Sequence, residues 1–218
     1  MKKLLSLALL ILSLSLFGQT LTPDSIVFTK HPNGQIQFLS TYKDGKLDGI
    51  KMVFTDKGDL VLEEFYSAGK RNGTVKSYQA NGRKIQVSNY VNGQLNGIHQ
   101  KYYKSGAIQE ETYYKNGVKD GKGIWFFQAG DRQPITEYNY VNGKIEGEAK
   151  NFYQSGSVKS ISIYEDSKKE GVYKEFYEDG KIKLIGNYKD GKKHGKWTYY
   201  NEEGELEKTE KYKKGELK

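Results

Sequence analysis

Apolar and polar residues alternate in short runs over nearly the whole chain. Stretches of six to eight residues rich in Tyr, Phe, Ile and Val are separated by short polar segments ending in Gly, such as Asp44-Gly45, Asn92-Gly93 and Asp179-Gly180. Such a signal about every 12 residues predicts a succession of β-hairpins. No segment after residue 20 sustains a 3.6-residue period, so no helical layer is expected to cover the strands.

The pattern repeats. Tyr42, Tyr66, Tyr90, Tyr114, Tyr140, Tyr164, Tyr188 and Tyr212 are spaced 24 residues apart, with one interval of 26 between Tyr114 and Tyr140. Between successive members the chain reads Tyr-x2-Gly-x3-Gly-x4-[Phe/Tyr]-x3-Gly-x7-Tyr. The inner aromatic is Phe54, Tyr78, Tyr102, Phe126, Phe152, Phe176 and Tyr200. The glycine columns begin with Gly45, Gly49 and Gly58, continue with Gly69, Gly73 and Gly82, and fail only at Ser167. A fixed period of this length is the signature of a repeat architecture. The expected fold is all-β: an elongated, single-layer, twisted antiparallel sheet of tandem ~24-residue hairpins, roughly 70 Å long at ~4.8 Å per strand.

Loop length decides which side chains share a face, because a one-residue shift turns a whole strand over. Three-residue loops such as Asp56-Lys57-Gly58, with Gly in the left-handed position of a G1 bulge, pair Phe54 with Leu60. On that reading Ile36, Phe38, Tyr42, Ile50, Met52, Phe54, Leu60, Leu62 and Tyr66 lie together. Trp125, Tyr173 and Trp197 then fall on the other face, with Leu47, Val53, Lys51, Lys101 and Glu175. The two extra residues of the 26-residue repeat are expected in a bulge or bent edge around Pro134. Lysines at 211, 213, 214 and 218 would oppose edge-to-edge association at the last strand.

The first residues read differently. Lys2 and Lys3 precede an apolar run from Leu4 to Phe17, which is too short to span a bilayer and has the form of a secretory signal peptide over 1–18. A lead-in over 19–27 and a repeat domain over 28–218 would follow, with seven full repeats over 42–211 and half-repeats at each end. No Cys stands after the apolar run to accept a lipid, so the expectation is an exported chain without a lipid anchor, in the periplasm, at the outer membrane or secreted.

Composition narrows the chemistry. The 218 residues include 25 Gly, 18 Tyr and no Cys, which removes disulfides, cysteine nucleophiles and thiolate metal sites. The three His, at 31, 99 and 194, are far apart, and single acids recurring every 24 residues do not form a calcium cage. Adjacent acids such as Glu63-Glu64 and Glu110-Glu111 point to opposite faces of a strand. No catalytic, metal or cofactor-binding residue is assigned, and the expectation is a non-enzyme. The net charge of +8 is diffuse, and with export it argues against a nucleic-acid partner. The aromatic residues are the one feature suited to a binding surface, with Trp125, Trp197, Tyr103, Tyr153 and Tyr177 as candidates.

Units such as Tyr-Lys-Asp-Gly-Lys at 42–46 and 188–192, Tyr-Lys-Asn-Gly at 114–117, and pairs such as Tyr102-Tyr103, Phe176-Tyr177 and Tyr199-Tyr200 resemble MORN-variant repeats from about residue 26 onward. The resemblance implies an elongated hairpin array acting as a protein or lipid interaction scaffold. In bacteria it includes a YwqK-like group described as antitoxin components, some labelled membrane-binding. The expected function is therefore an exported scaffold binding a protein partner, a toxin or a cell-envelope component. Glycan or peptidoglycan binding through the aromatic face, and attachment to a membrane surface, are the alternatives.

Overall fold

The computed structural model describes residues 24–129 and 131–218; the signal-peptide reading of 1–18 and Gly130 lie outside them. Strand follows strand from Ser25 to Leu217 in one open 19-stranded antiparallel sheet, and no helix occurs among the described residues. Each strand pairs with its sequence neighbours, so the sheet is a meander. The first strand, Ser25–Lys30, already includes residues 25–27 of the expected lead-in.

Two turn types alternate. Lys43 pairs with Lys46 across a two-residue turn in which Asp44 (φ 49°) and Gly45 (φ 70°) are both left-handed, the geometry of a type I′ hairpin. The second turn is the expected three-residue loop. The Gly58 N–H donates to Thr55 O (3.0 Å), the Thr55 N–H to Asp59 O (2.8 Å), and Gly58 has φ 87°. In the 26-residue repeat the extra residues are absorbed in this turn, not in a strand bulge near Pro134. Phe127 N–H donates to Gln133 O (2.9 Å), and Phe126–Pro134 and Trp125–Thr136 pair as in the other repeats.

The assignment of faces needs correction. Phe54 does pair with Leu60, but Val53 pairs with Leu62 and Gly49 with Tyr66, because an irregularity next to the turn adds one residue. The same shift stands beside Tyr78, Tyr102, Phe126, Phe152, Phe176 and Tyr200. It turns the rest of the strand over, so the inner aromatics and the Tyr column lie on opposite faces. Leu39, Ile50 and Met52 pack with Phe54, Leu60 and Phe65 on one face. Phe38, Leu62 and Tyr66 belong to the other, with Lys51, Val53, Trp125, Tyr173 and Trp197.

A second bulge sits at the middle glycine column. Between the Ser40–Lys51 and Tyr42–Leu47 pairs, two extra residues are taken up around Gly49 (φ 92°). The Ile50 N–H exposed by this bulge donates to Thr41 Oγ1 (2.8 Å). Adjacent type I′ turns are then tied together: the Gly69, Gly93, Gly117 and Gly143 N–H groups each donate, at 2.8 Å, to a carbonyl of the preceding repeat. Carboxylates reinforce that edge, with Asp48 accepting from the Ala68 N–H (2.9 Å) and Glu170 from the Asp190 N–H (2.7 Å). Stability is therefore passed from each repeat to its neighbour.

Candidate functional site: the tyrosine face and its reverse

From Tyr66 onward each column Tyr lies directly across from a bulge glycine, Tyr66 over Gly49, Tyr90 over Gly73, Tyr188 over Gly171 and Tyr212 over Gly195, where no side chain obstructs the ring; Tyr42 lies across from Ser25. Its other cross-strand neighbour is often a cation, which reaches over the rings of the following repeat. The Arg71 guanidinium is 5.5 Å from the Tyr90 ring centre, Lys119 Nζ 4.9 Å from Tyr140, Lys169 Nζ 5.1 Å from Tyr188 and Lys193 Nζ 4.7 Å from Tyr212. Contacts of this kind contribute about 0.5–2 kcal/mol each. Burial among the rings of Tyr173 and Tyr188 pushes the Lys169 ammonium pKa down, and burial lifts the Tyr164 and Tyr173 hydroxyls to about 12.

The sequence-selected tryptophans join this face. Trp197 is 1% exposed, stacked on Tyr173 (5.9 Å) and edge-on to Tyr188 (5.2 Å) and Tyr212 (6.1 Å), with Lys193 Nζ 4.3 Å from its ring. Its ring is therefore not a free binding surface. Trp125 is half-buried, packs against Tyr138 and lies under Lys119. Two glycines outside the repeat columns make room for these rings. A Cβ on Gly186 would stand 2.2 Å from Trp197 Cδ2, and one on Gly123 would stand 2.7 Å from Tyr140 Cε2.

Tyr103, Tyr153 and Tyr177 also prove to be committed to the fold. Each half-buried ring donates its hydroxyl, at 2.8 Å, to the inner-aromatic carbonyl of the next repeat: Phe126 O, Phe176 O and Tyr200 O respectively. His31 Nε2 makes the equivalent 3.0 Å contact with Phe54 O. These staples tie the three-residue turns together, as the glycine ladder ties the type I′ turns. The sequence hint was the spacing: an aromatic directly after the inner aromatic lies 23 residues before the carbonyl it meets.

Polar groups fill the N-terminal half of the tyrosine face. The buried Glu64 carboxylate accepts from Arg71 Nε (2.8 Å) and Tyr66 OH (3.1 Å), with Lys51 Nζ 3.6 Å away. Ser88 Oγ and His99 Nδ1 are 2.9 Å apart, a contact that sequence reasoning missed because the residues are eleven apart and meet only through strand pairing. Both are buried, so the hydroxyl is not presented to a substrate. Burial pushes the His99 pKa down, helped by the Lys101 charge. Glu110 accepts from Lys101 Nζ (3.0 Å) and Thr112 Oγ1 (3.0 Å), while its neighbour Glu111 accepts from Gln100 and Arg132 on the reverse face. The adjacent acids thus point apart and form separate ion pairs. Among the described residues no group of three or more His, Asp or Glu is placed to hold a metal ion.

The reverse face is different. Val91, Tyr113, Val118, Val141, Ile163 and Val172 all point to it from the middle repeats and are exposed. They cluster toward the type I′ edge, where Val118 Cγ1 lies 3.1 Å from the Cβ position of Gly143.

The MORN repeat variant family matches at residues 23–44, 95–116, 145–166, 169–190 and 193–214, together half of the chain. The chain belongs to this family. MORN repeats generally mediate protein or membrane interactions. No curated protein sequence matches. Among solved structures, a chain of the Glycosylation Associate Protein (Gap123) complex from Streptococcus agalactiae shows 19% identity over 50% of this MORN chain and 20% of its own, with a TM-score of 0.30. TarM of S. aureus shows 9% identity over 72% of this chain and 23% of its own, with a TM-score of 0.26. The MORN array therefore spans only about a fifth to a quarter of the solved chains it resembles.

Proposed function

We propose that this MORN array is an exported, non-enzymatic scaffold that binds a protein partner, a toxin or a cell-envelope component, through the apolar stripe on its reverse face. The observation that carries the reading is the contrast between the two faces. On the tyrosine face the aromatic rings are buried or half-buried against one another and the neighbouring lysines. On the reverse face Val91, Tyr113, Val118, Val141, Ile163 and Val172 are exposed without serving the core. Grouped apolar side chains on a surface mark interaction sites. The buried state of the Ser88–His99 pair supports the non-enzymatic part of the reading. The Lys2-Lys3 and Leu4–Phe17 pattern supports export.

The test is affinity purification from the native cell envelope with the chain as bait. A stoichiometric protein partner is expected. It should be lost with the double substitution Tyr113→Glu, Val118→Glu and kept with Glu202→Lys in a distant turn. Repeated failure to recover a partner, or retention by the double variant, overturns the reading. Mass spectrometry checks export: the exported form should lack Met1 and begin near Gln19.

A further inference from the structure

Among the described residues, the strand Ser25–Lys30 is paired on one side only, with Ile36–Tyr42. It carries Ile26, Val27 and Phe28, which are 46%, 41% and 54% exposed. One repeat later the same positions are Ile50, Lys51 and Met52, and there Ile50 and Met52 are 5% and 9% exposed. Val27 shares its column with Val75, Ala149 and Trp197, all buried. The difference is a neighbour. Each later copy of this strand lies between two tyrosine-bearing strands, and Ser25–Lys30 lies beside one. Its side chains are as apolar as those of a repeat with strands on both sides.

At the opposite side of the sheet, the tyrosine-bearing strand Leu206–Lys213 pairs through Leu206 and Lys208 to Tyr212 with Gly195–Tyr200. Among the described residues, only Tyr212 and Lys213 are paired on its other side, with Leu217 and Glu216. The lysine-rich end is thus already covered, and the open stretch is Leu206–Glu210. The Lys218 N–H donates to Lys211 O (2.9 Å), the same bond that Asn72 makes to Phe65 O and Glu146 to Asn139 O at the start of the bulge. The strand kind that would come next in the pattern is the kind that Ser25–Lys30 represents.

We propose that the array associates head to tail with a second copy of itself, the Ser25–Lys30 strand of one copy adding to Leu206–Glu210 of another as a further repeat. The repeat dictates the register. Leu184 pairs with Tyr199 and Ile185 with Thr198, and Gln86, Val87 and Ser88 pair with Lys101, Gln100 and His99. By the same offset Lys208 meets Thr29, Thr209 meets Phe28, and Glu210 meets Val27 of the neighbouring copy. The Leu62–Ser77 and Glu63–Lys76 pairs carry the same offset forward to Glu64 and Val75, so the Glu–Val combination already exists inside the array. Main-chain hydrogen bonds would supply the affinity, as in other cases of strand addition. Two different edges meet, so the contact is heterologous and repeats into open chains instead of closing as a dimer. Lysines at 208, 211 and 213 oppose pairing of two C-terminal edges with each other.

The absence of native Cys allows a direct test on the purified full chain. Mixing Phe28→Cys protein with Thr209→Cys protein under mild oxidation should give a cross-linked dimer, and a chain carrying both substitutions should give a ladder of oligomers. Sedimentation of the unmodified chain should show a mean mass that rises with concentration beyond the dimer. Val27→Glu, which meets Glu210, should abolish that rise while leaving the circular dichroism spectrum unchanged. A chain that stays monomeric at every concentration, with no mixed cross-link, overturns the proposal. So does a cross-link formed only between two Phe28→Cys chains, which would mean that identical edges pair.

Discussion

Replacing Gly186 by Ala adds one methyl group in the most crowded part of the tyrosine face. Gly186 does not have a positive φ, so Ala suits its backbone and in an open strand would stabilise by about 0.5–1 kcal/mol. Here the new Cβ would stand 2.2, 2.3 and 2.6 Å from three indole atoms of Trp197, and the ring must move by about 1 Å or more to reach an ordinary 3.5 Å contact. Overpacking of this kind costs about 1–3 kcal/mol. The displaced indole also loosens its contacts with Tyr173, Tyr188 and Tyr212, each worth about 0.5–1.5 kcal/mol. A net loss of about 3 kcal/mol is expected, or roughly 6–12 °C in Tm for a chain of this size if it unfolds as one unit. Denaturant unfolding measures the loss. In a Trp125→Phe background, Trp197 is the remaining tryptophan, and its emission should shift to the red as the ring is pushed toward water. In a Trp197→Leu background, itself less stable because those contacts are gone, Gly186→Ala should cost almost nothing further, because the methyl then enters space the indole has left. A Gly186→Ala chain within 0.5 kcal/mol of the parent, with unchanged emission, would refute the packing argument.

Three further outcomes follow from other contacts. Tyr177→Phe removes a 2.8 Å hydroxyl bond to Tyr200 O and nothing else, so it should cost about 1 kcal/mol and raise hydrogen exchange selectively in the Asn201–Glu205 turn. Glu64→Ala should cost about 2 kcal/mol, the range for hydrogen bonds to a charged group, since Arg71 and Lys51 are partly exposed and regain water; a double-mutant cycle with Arg71→Ala should show positive coupling. Acid should weaken the middle repeats. Burial lowers the His99 pKa, so below about 6.5 the unfolded chain takes up a proton the folded chain still refuses, and stability falls as pH drops toward the folded value. His99→Gln should flatten that slope between pH 7 and 5 in denaturant titrations; an unchanged slope would count against it. Glu110 acts further down: burial alone would raise its pKa, but Lys101 and Thr112 outweigh it and hold the carboxyl below its usual value. Its contribution is therefore present above about 4.5 and lost as pH falls below that.

Much of the fold was legible because its information is local. The Gly45 and Gly58 columns name two turns that need left-handed backbone, and the 24-residue beat says that every hairpin is the same hairpin. The faces were not legible, because the residue that turns the strand over, Val61 in the first full repeat, has no distinctive chemistry. Charge did not discriminate either. With the register set by Phe54–Leu60 alone, Lys51 would have met Glu63, and in the actual register it meets Glu64. The discriminating signal was steric. The first register places the column Tyr residues from Tyr66 onward across from a residue such as Asp48, whereas the actual one places them across from Gly49 and its equivalents, where a ring can lie against the backbone. Gly123 and Gly186 carried a similar signal, since a glycine outside the turn columns of a strand marks a close approach.

The same parity bears on where a partner can bind. The bulge beside each three-residue turn gathers the Tyr column, both tryptophans and the buried polar row onto one face, and their sizes are matched in pairs: Gly186 beneath Trp197, and Gly123 beneath Tyr140 and Trp125. A residue on that face cannot change without disturbing its neighbour, which leaves little freedom to adapt it to a ligand. Exposed Ile163 and Val172 on the reverse face are not fitted against a glycine in this way, and neither are the two dissimilar edges. Substitutions that abolish binding but leave the melting temperature unchanged should therefore fall on the reverse face and at the edges. Those at Tyr188, Trp197 or Gly186 should lower stability first and binding only as a consequence.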